Sequence, residues 1–297
     1  MRTIKPKDKP LAEFHNLLLT AIAPRPICFA STIDKDGNPN LSPFSFFNVF
    51  GSNPPTLIFS PARRVRDNTI KHTLENVIET KEVVINVVNY AMVQQMSLAS
   101  CEYPKGVNEF VKSGFTPIAS ENVKPFRVKE SPVQFECVVK KVIETGQEGG
   151  AGNLIICEIL LMHISDDVMT ATGQIDQHKI DLVARAGSDW YVRASQGLFE
   201  VPKPNRNLGM GVDQLADEIR YSKILTGNDI GMLANEQVLP DTDSIEVFKR
   251  MNKDLQKIHA NFKDDEMGLK NAIHQLAHEY LEKGKVVEGW KVLLSNK

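Results

Sequence analysis

The sequence predicts a mainly β domain, a barrel or sandwich of short strands, followed by a helical tail. Three observations carry this prediction. Short apolar runs rich in β-branched and aromatic residues fill the first two-thirds of the 297-residue chain. Glycine-bearing turns separate several of them, and only two helical patterns interrupt them. After Pro204 the composition shifts, and apolar residues then recur at spacings of three and four.

The strand-like runs are 27–33, 44–50, 56–59, 83–88, 133–143 and 154–164. Between the first two lies Asp34-Lys35-Asp36-Gly37-Asn38, where Asp-Gly supplies the positive-φ position of a tight turn between antiparallel neighbours. The stretch 146–152, GQEGGAG, suits a flexible hairpin connection better than a phosphate loop. Helices are expected at 73–80 and 92–99. In the tail, Phe248, Met251, Leu255, Ile258 and Phe262 mark one amphipathic helix. Leu269, Ile273, Leu276 and Tyr280 mark a second, stopped at Lys283-Gly284. The tail thus reads as a helical hairpin whose stripes pack on the barrel or on a partner subunit. The expected domains are 1–204 and 205–297.

Composition bounds the function. Apolar residues at 42% and charged residues at 24% are those of an ordinary globular protein. Thirty-five Lys and Arg against 37 Asp and Glu leave a formal charge of -2, so no global field draws nucleic acid or an anionic membrane. Any basic site is local. The four cysteines, Cys28, Cys101, Cys137 and Cys157, form no C-x-x-C pair and read as buried thiols. The N-terminal residues lack the uninterrupted apolar run of a secretory signal, and no stretch reaches the ~18 apolar residues of a membrane span. A reducing, cytoplasmic setting is expected.

Two adjacent stretches carry the functional signal. Residues 40–55, NLSPFSFFNVFGSNPP, break strand alternation, because neither face is cleanly apolar at period two. Pro43 removes a ladder donor, which puts the segment at an edge or bulge where backbone N–H groups can face a ligand. Serines and an asparagine beside aromatics suit a flat heteroaromatic ring with a polar edge. A packed aromatic core strand, turning at Gly51-Ser52-Asn53-Pro54, accounts for the same residues. Residues 61–76, PARRVRDNTIKHTLEN, concentrate Arg63, Arg64, Arg66, Lys71 and His72 ahead of a helix that Thr73 is placed to cap. A helix N-terminus offers free N–H groups to a phosphate, and Lys71, Thr73 and one or more of the arginines, Arg64 among them, complete such a cradle. A solvated basic loop is the alternative.

Other motifs point away from other chemistry. His274 and His278 sit at i, i+4 on a helix, but Gln275 stands where a zinc protease needs Glu, and the pair reads as exposed helix surface. Gly209-Met210-Gly211 lacks the third glycine and preceding strand of a dinucleotide fingerprint, and no phosphate-loop or serine-elbow motif occurs.

The succession APRPICFASTIDKDGNPNLSPFSFFNVFGSNPPTLIFS, followed by KHTLENVIETKEVVINVV, resembles the flavin reductase-like, FMN-binding split-barrel family. The resemblance runs from about residue 22 to about residue 202. It implies a homodimeric split barrel holding FMN near the dimer interface and reduced by NADH or NADPH. By the same resemblance, Ser42, Ser45 and Asn48 match the segment along the flavin and its ribityl chain, and Lys71 and Thr73 match the phosphate-side Lys-x-Thr. His72 stands where the family commonly carries Asp. Arg25 matches the Pro-Arg-Pro leading into the first strand, and Arg185-Ala186-Gly187 with Tyr191 resembles a looser pattern near the domain end.

The function this implies is an FMN-dependent NAD(P)H oxidoreductase, in which the cofactor carries the chemistry and the protein supplies position and electrostatics. No catalytic side chain and no metal are expected. Two rivals stand beside it: an FMN-holding electron carrier reduced by a partner protein, and a split-barrel binding module without catalysis.

Overall fold

The computed structural model describes residues 1–202, 204 and 208–296, so the expected boundary at 204/205 falls partly outside the described residues. Contacts within the chain divide it into two units, Met1–Phe199 and Glu200–Lys297.

The first unit opens with helix α1 (Leu11–Ala21), then strands β1 (Cys28–Ile33), β2 (Pro39–Phe44), β3 (Phe47–Ser52) and β4 (Pro55–Phe59). Helix α2 (His72–Thr80), strand β5 (Glu82–Val87) and the short helices α3 (Val93–Leu98) and α4 (Glu109–Ser113) follow. The two-residue strands β6 (Pro117–Ile118) and β7 (Arg127–Val128), the long strands β8 (Val133–Glu144) and β9 (Asn153–Ile164), and the small pair β10 (Val183–Arg185) and β11 (Tyr191–Arg193) complete it.

Seven strands form one antiparallel sheet in the order β2-β1-β5-β8-β9-β4-β3. Its two edge strands, β2 and β3, are consecutive in the chain and joined only by Ser45 and Phe46. Phe44 and Phe47 are three Cα steps apart, at most about 11 Å. The sheet therefore rolls until its edges nearly meet, which makes a barrel open along one seam. The seam explains the broken alternation near residue 44: the expected strand at 44–50 is two strands with a crossing at 45–46. Pro43 lies on an edge strand, where its missing N–H costs no ladder bond.

The hairpins follow the turn chemistry. Ile33 pairs with Pro39 around Gly37, whose φ of +86° only glycine adopts without strain. Glu144 pairs with Asn153 around the glycine-rich stretch. Strand β1 is buried along its whole length because it has a core on each face. Cys28 and Ala30 point into a cluster with Phe44, Phe59, Leu74, Val77 and Ile155. Phe29 points into another with Leu41, Met92, Met96 and Phe110. Cys28, Cys137 and Cys157 are buried in the first cluster, and burial pushes the Cys157 thiol up to about 12. Cys101 is exposed, so the reading of four buried thiols holds for three.

The second unit holds more than a hairpin. Helices α5 (Asp217–Arg220), α6 (Gly227–Ala234), α7 (Thr242–Met251), α8 (Lys253–Asn261), α9 (Glu266–Leu281) and α10 (Val286–Leu294) surround a core containing Leu233, Leu255, Ile273, Leu281 and Trp290. The single helix expected through Phe262 breaks at Asn252, whose side chain accepts from the N–H groups of Asp254 and Leu255 and so starts α8. Most of the two apolar stripes, Phe248, Leu255, Ile258, Leu269, Ile273, Leu276 and Tyr280, packs within this unit itself, while Met251 is exposed. His274 and His278 face inward rather than outward: His274 is buried against the Ser222 hydroxyl at 2.8 Å, and His278 meets the buried Asp229 carboxylate at 2.9 Å. No metal-ligating cluster occurs among the described residues, and no described helix is long and apolar enough to cross a membrane.

Candidate functional site

Three cavities border one another around the end of β2. A small one, about 20 Å³, is lined by Ser42, Arg64, Lys71, His72 and Thr73 together with Asn40 and Glu109. A second of about 290 Å³ shares Arg64 and Lys71 with it and adds His15, Phe46, Val65 and Gly150. A third of about 610 Å³ shares Pro43, Phe44 and Ser45 with the second and Ser100 with the first. Six of the seven sequence-predicted residues thus come together. Asn48 does not: it is exposed on β3, accepts a bond from the Val49 N–H at 2.8 Å, and lines none of the three.

Lys71 is the N-cap residue of α2, in extended conformation and without a side-chain cap bond. This corrects the expectation that Thr73 caps the helix. Thr73 lies two residues inside and is buried, and its hydroxyl accepts from Asn40 Nδ2 at 2.9 Å. With its acceptor side taken, the Thr73 hydroxyl keeps its proton to give. Asn40 also donates to Thr32, which in turn accepts from Asn76 on α2, so a buried polar network fixes where the helix begins.

Electrostatics single out Lys71. Its ammonium is half-buried and makes no ion pair among the described residues. Burial, and then the charge of Arg64, pull it below the ordinary lysine value. Arg64 itself is held in place: Nη1 donates to Thr69 Oγ1 at 2.7 Å and to the Ile70 carbonyl at 2.9 Å, and Nε to Glu102 at 3.0 Å. Arg66 pairs with Asp67 and Glu102 at the surface and lines none of these cavities. Glu109 lies buried, its carboxyl raised by burial, and accepts from the Leu41 N–H at 3.1 Å.

Ser45 is oriented from behind by Arg25, whose Nε donates to its hydroxyl at 3.3 Å. The other Arg25 donors hold the carbonyls of Leu19, Ile22 and Ala186. Arg25 thus ties α1 to the start of β1 and to the turn after β10, a support role that the sequence left open.

Sequence reasoning missed Asn40, Ser100, Glu102 and Glu109. Asn40 sat in plain view within the informative stretch, and its partner Thr73 lies 33 residues away. Glu102 meets Arg64 across 38 residues, a distance no local pattern reports.

A cation lacking a carboxylate, a helix start lacking a side-chain cap and a hydroxyl with a proton to give together suit a phosphate. The residues present fit a phosphate group of the kind a flavin nucleotide carries.

Comparison with known proteins agrees with this geometry. The model of the flavin reductase like domain matches residues 20–178. An uncharacterized protein of Aquifex aeolicus is 39% identical over 180 residues, 61% of this chain and 89% of its own. Among solved structures, nitrilotriacetate monooxygenase component B from Bacillus cereus superposes with a TM-score of 0.64 at 27% identity, covering 68% of this chain and 98% of its own. A protein with a split barrel domain from Shewanella frigidimarina gives a TM-score of 0.59 at 26% identity, covering 68% and 99%. The barrel and its seam lie within the matched region, and the chain belongs to the flavin reductase like domain family.

Proposed function

We propose that the protein is an NAD(P)H-dependent oxidoreductase that holds FMN as its flavin. The observation that carries the reading is the half-buried Lys71 ammonium, unpaired among the described residues, at the N-terminus of α2. In this reading Lys71, the Thr73 hydroxyl and the first N–H groups of α2 bind the phosphate, with His72 and Ser42 beside it and Arg64 supplying charge. The ring occupies the 290 Å³ cavity against Phe44, Phe46 and Val65, with Ser45 at its edge. When bound, the flavin supplies the capacity to accept hydride. The chain positions it, excludes water on the barrel side and leaves open the side facing the 610 Å³ cavity.

Likeness to a monooxygenase component supports a reductase that works with a second protein. A homodimer is supported by β9, where the alternating residues Leu160, Met162 and Ile164 leave an apolar face exposed. Asn48 on exposed β3 is then a residue that a second copy would bring to a flavin. A reducing, cytoplasmic setting suits the unpaired cysteines.

The test is the visible spectrum of the purified protein after FMN is added and the excess removed, followed by NADPH and NADH oxidation with FMN present. Retained flavin with nucleotide oxidation is the expected result. Retained flavin that only a partner protein reduces would make the protein an electron carrier. No retention and no oxidation would end the flavin reading.

A further inference from the structure

The 610 Å³ cavity is lined by two arginines, Arg185 and Arg193, and two tyrosines, Tyr90 and Tyr191. Cross-strand pairing of β10 with β11 sets Arg185 directly opposite Tyr191, and its guanidinium carbon lies 4.6 Å from the centre of that ring. On the same wall Arg193 lies 3.8 Å from the centre of the Tyr90 ring. The two arginines differ in what they have left to give. Arg193 is spent on Asp181: its Nε meets both carboxylate oxygens at 2.9 and 3.0 Å, and Nη2 meets one at 2.7 Å. Arg185 makes no side-chain hydrogen bond among the described residues. Its one carboxylate neighbour, Asp189, is 4.0 Å away and fully exposed.

Behind Arg185 stands the buried Arg25, bonded to it backbone to backbone at 2.8 and 2.9 Å. Burial, and then the charge of Arg185, lower the Arg25 value. Two close cations with only an exposed carboxylate beside them leave the cavity wall positive. Ile27, Val93, Met96 and Val183 add an apolar wall, and Ser45, Gln94, Ser97 and Ser100 add polar groups to the cavity. Its volume of about 610 Å³ falls in the range of small-molecule pockets. An aromatic body with one concentrated negative charge complements such a space.

We infer that the 610 Å³ cavity holds the nicotinamide nucleotide and that Arg185 is its specificity residue, gripping the 2′-phosphate and so favouring NADPH over NADH. This rests on the proposed NAD(P)H-dependent function and deepens it. A phosphate monoester carries about -1.5 to -2 charge, more than the roughly -1 on each phosphate of a pyrophosphate bridge, and so gains more from the Arg185 guanidinium. A guanidinium stacked on a ring keeps its planar edge of donors free for two phosphate oxygens, a geometry that a lysine does not reproduce.

The experiment uses the full chain loaded with FMN and titrates NADP⁺ and NAD⁺ by calorimetry, since the oxidised nucleotides bind without reacting. Wild type is expected to prefer NADP⁺. Arg185→Ala should weaken NADP⁺ by about tenfold or more, as for a lost charged hydrogen bond, and leave NAD⁺ within about twofold. Arg185→Lys should fall between the two. Asp189→Asn, at a fully exposed carboxylate whose loss leaves the fold intact, should tighten NADP⁺ selectively. Equal affinity for both nucleotides in wild type, equal loss of both in Arg185→Ala, or no response to Asp189→Asn would overturn the assignment. Absence of NADPH oxidation alongside Arg185-dependent NADP⁺ binding would refute the reductase reading and leave this site standing. Retained FMN with NADPH oxidation, but with NADP⁺ affinity unchanged in Arg185→Ala, would refute the site alone.

Discussion

Asn40 donates to the hydroxyl of Thr73 at 2.9 Å, which leaves the proton of that hydroxyl, on the wall of the small cavity, free to be donated. One hydrogen bond therefore links the first turn of α2 to the strand that lines the site. Replacing Asn40 by Ala leaves Thr73 without its buried donor, while Thr32 keeps that of Asn76, and should cost about 1–3 kcal/mol of stability. Urea denaturation of the apo protein measures this. Thr73→Val should cost similar stability and in addition lose the phosphate donor, so its FMN affinity should fall further than that of Asn40→Ala.

Lys71→Ala should weaken FMN by about tenfold or more while riboflavin binding changes little, since a hydrogen bond to a charged group contributes about 1.5–3 kcal/mol and only FMN carries the phosphate. Quenching of flavin fluorescence on titration gives both constants. Equal weakening of the two ligands would remove Lys71 from the phosphate site.

Lys71 also sets a pH dependence. Its folded value lies below the ordinary 10.5, by burial first and by Arg64 second. The unfolded chain therefore binds more protons between the two values, and stability rises with pH across that window, the penalty of the buried charge being present in full at neutral pH. Phosphate binding runs the other way, because the charged ammonium is the form that binds. The ratio of FMN to riboflavin affinity should be flat near neutrality and fall as pH rises through the lowered Lys71 value. Lys71→Arg should move that fall beyond the accessible range.

In the helical unit, a Cβ added at Gly289 would meet the Leu281 side chain at 3.0–3.1 Å. Leu281 is buried, with little room to retreat. Overpacking of about 1–3 kcal/mol outweighs the roughly 1 kcal/mol that Ala gains over Gly in a helix, so Gly289→Ala should destabilise. Far-ultraviolet melting checks the sign, and retained FMN absorbance would show that flavin binding does not depend on this packing.

Much of the barrel was legible because its strands obey local rules. Short runs of β-branched and aromatic residues, Asp-Gly and the glycine-rich loop pointed to β1, β4, β5, β8 and β9 and to two hairpins. The crossing at Ser45 and Phe46 was visible only as a broken alternation, since a test for strand faces assumes one continuous strand. The break at Asn252 hid in the same way: helical spacing continues on either side of it, and a single capping side chain decides against continuation. Of the site, charge and residue type disclosed Lys71 and Thr73. What they could not disclose is which cations are already paired. Arg64 and Arg66 share Glu102, Arg193 has Asp181, and Lys71 and Arg185 are left, a distinction made by residues far apart in the chain.

A closed cylinder of strands yields only by tearing a ladder, but this one has a line along its wall with no ladder to tear, between β2 and β3. Ser45 lies on that line and borders both larger cavities. A parting of the wall there would break no strand pair, so movement at Ser45 and the integrity of the ladders rest on different bonds.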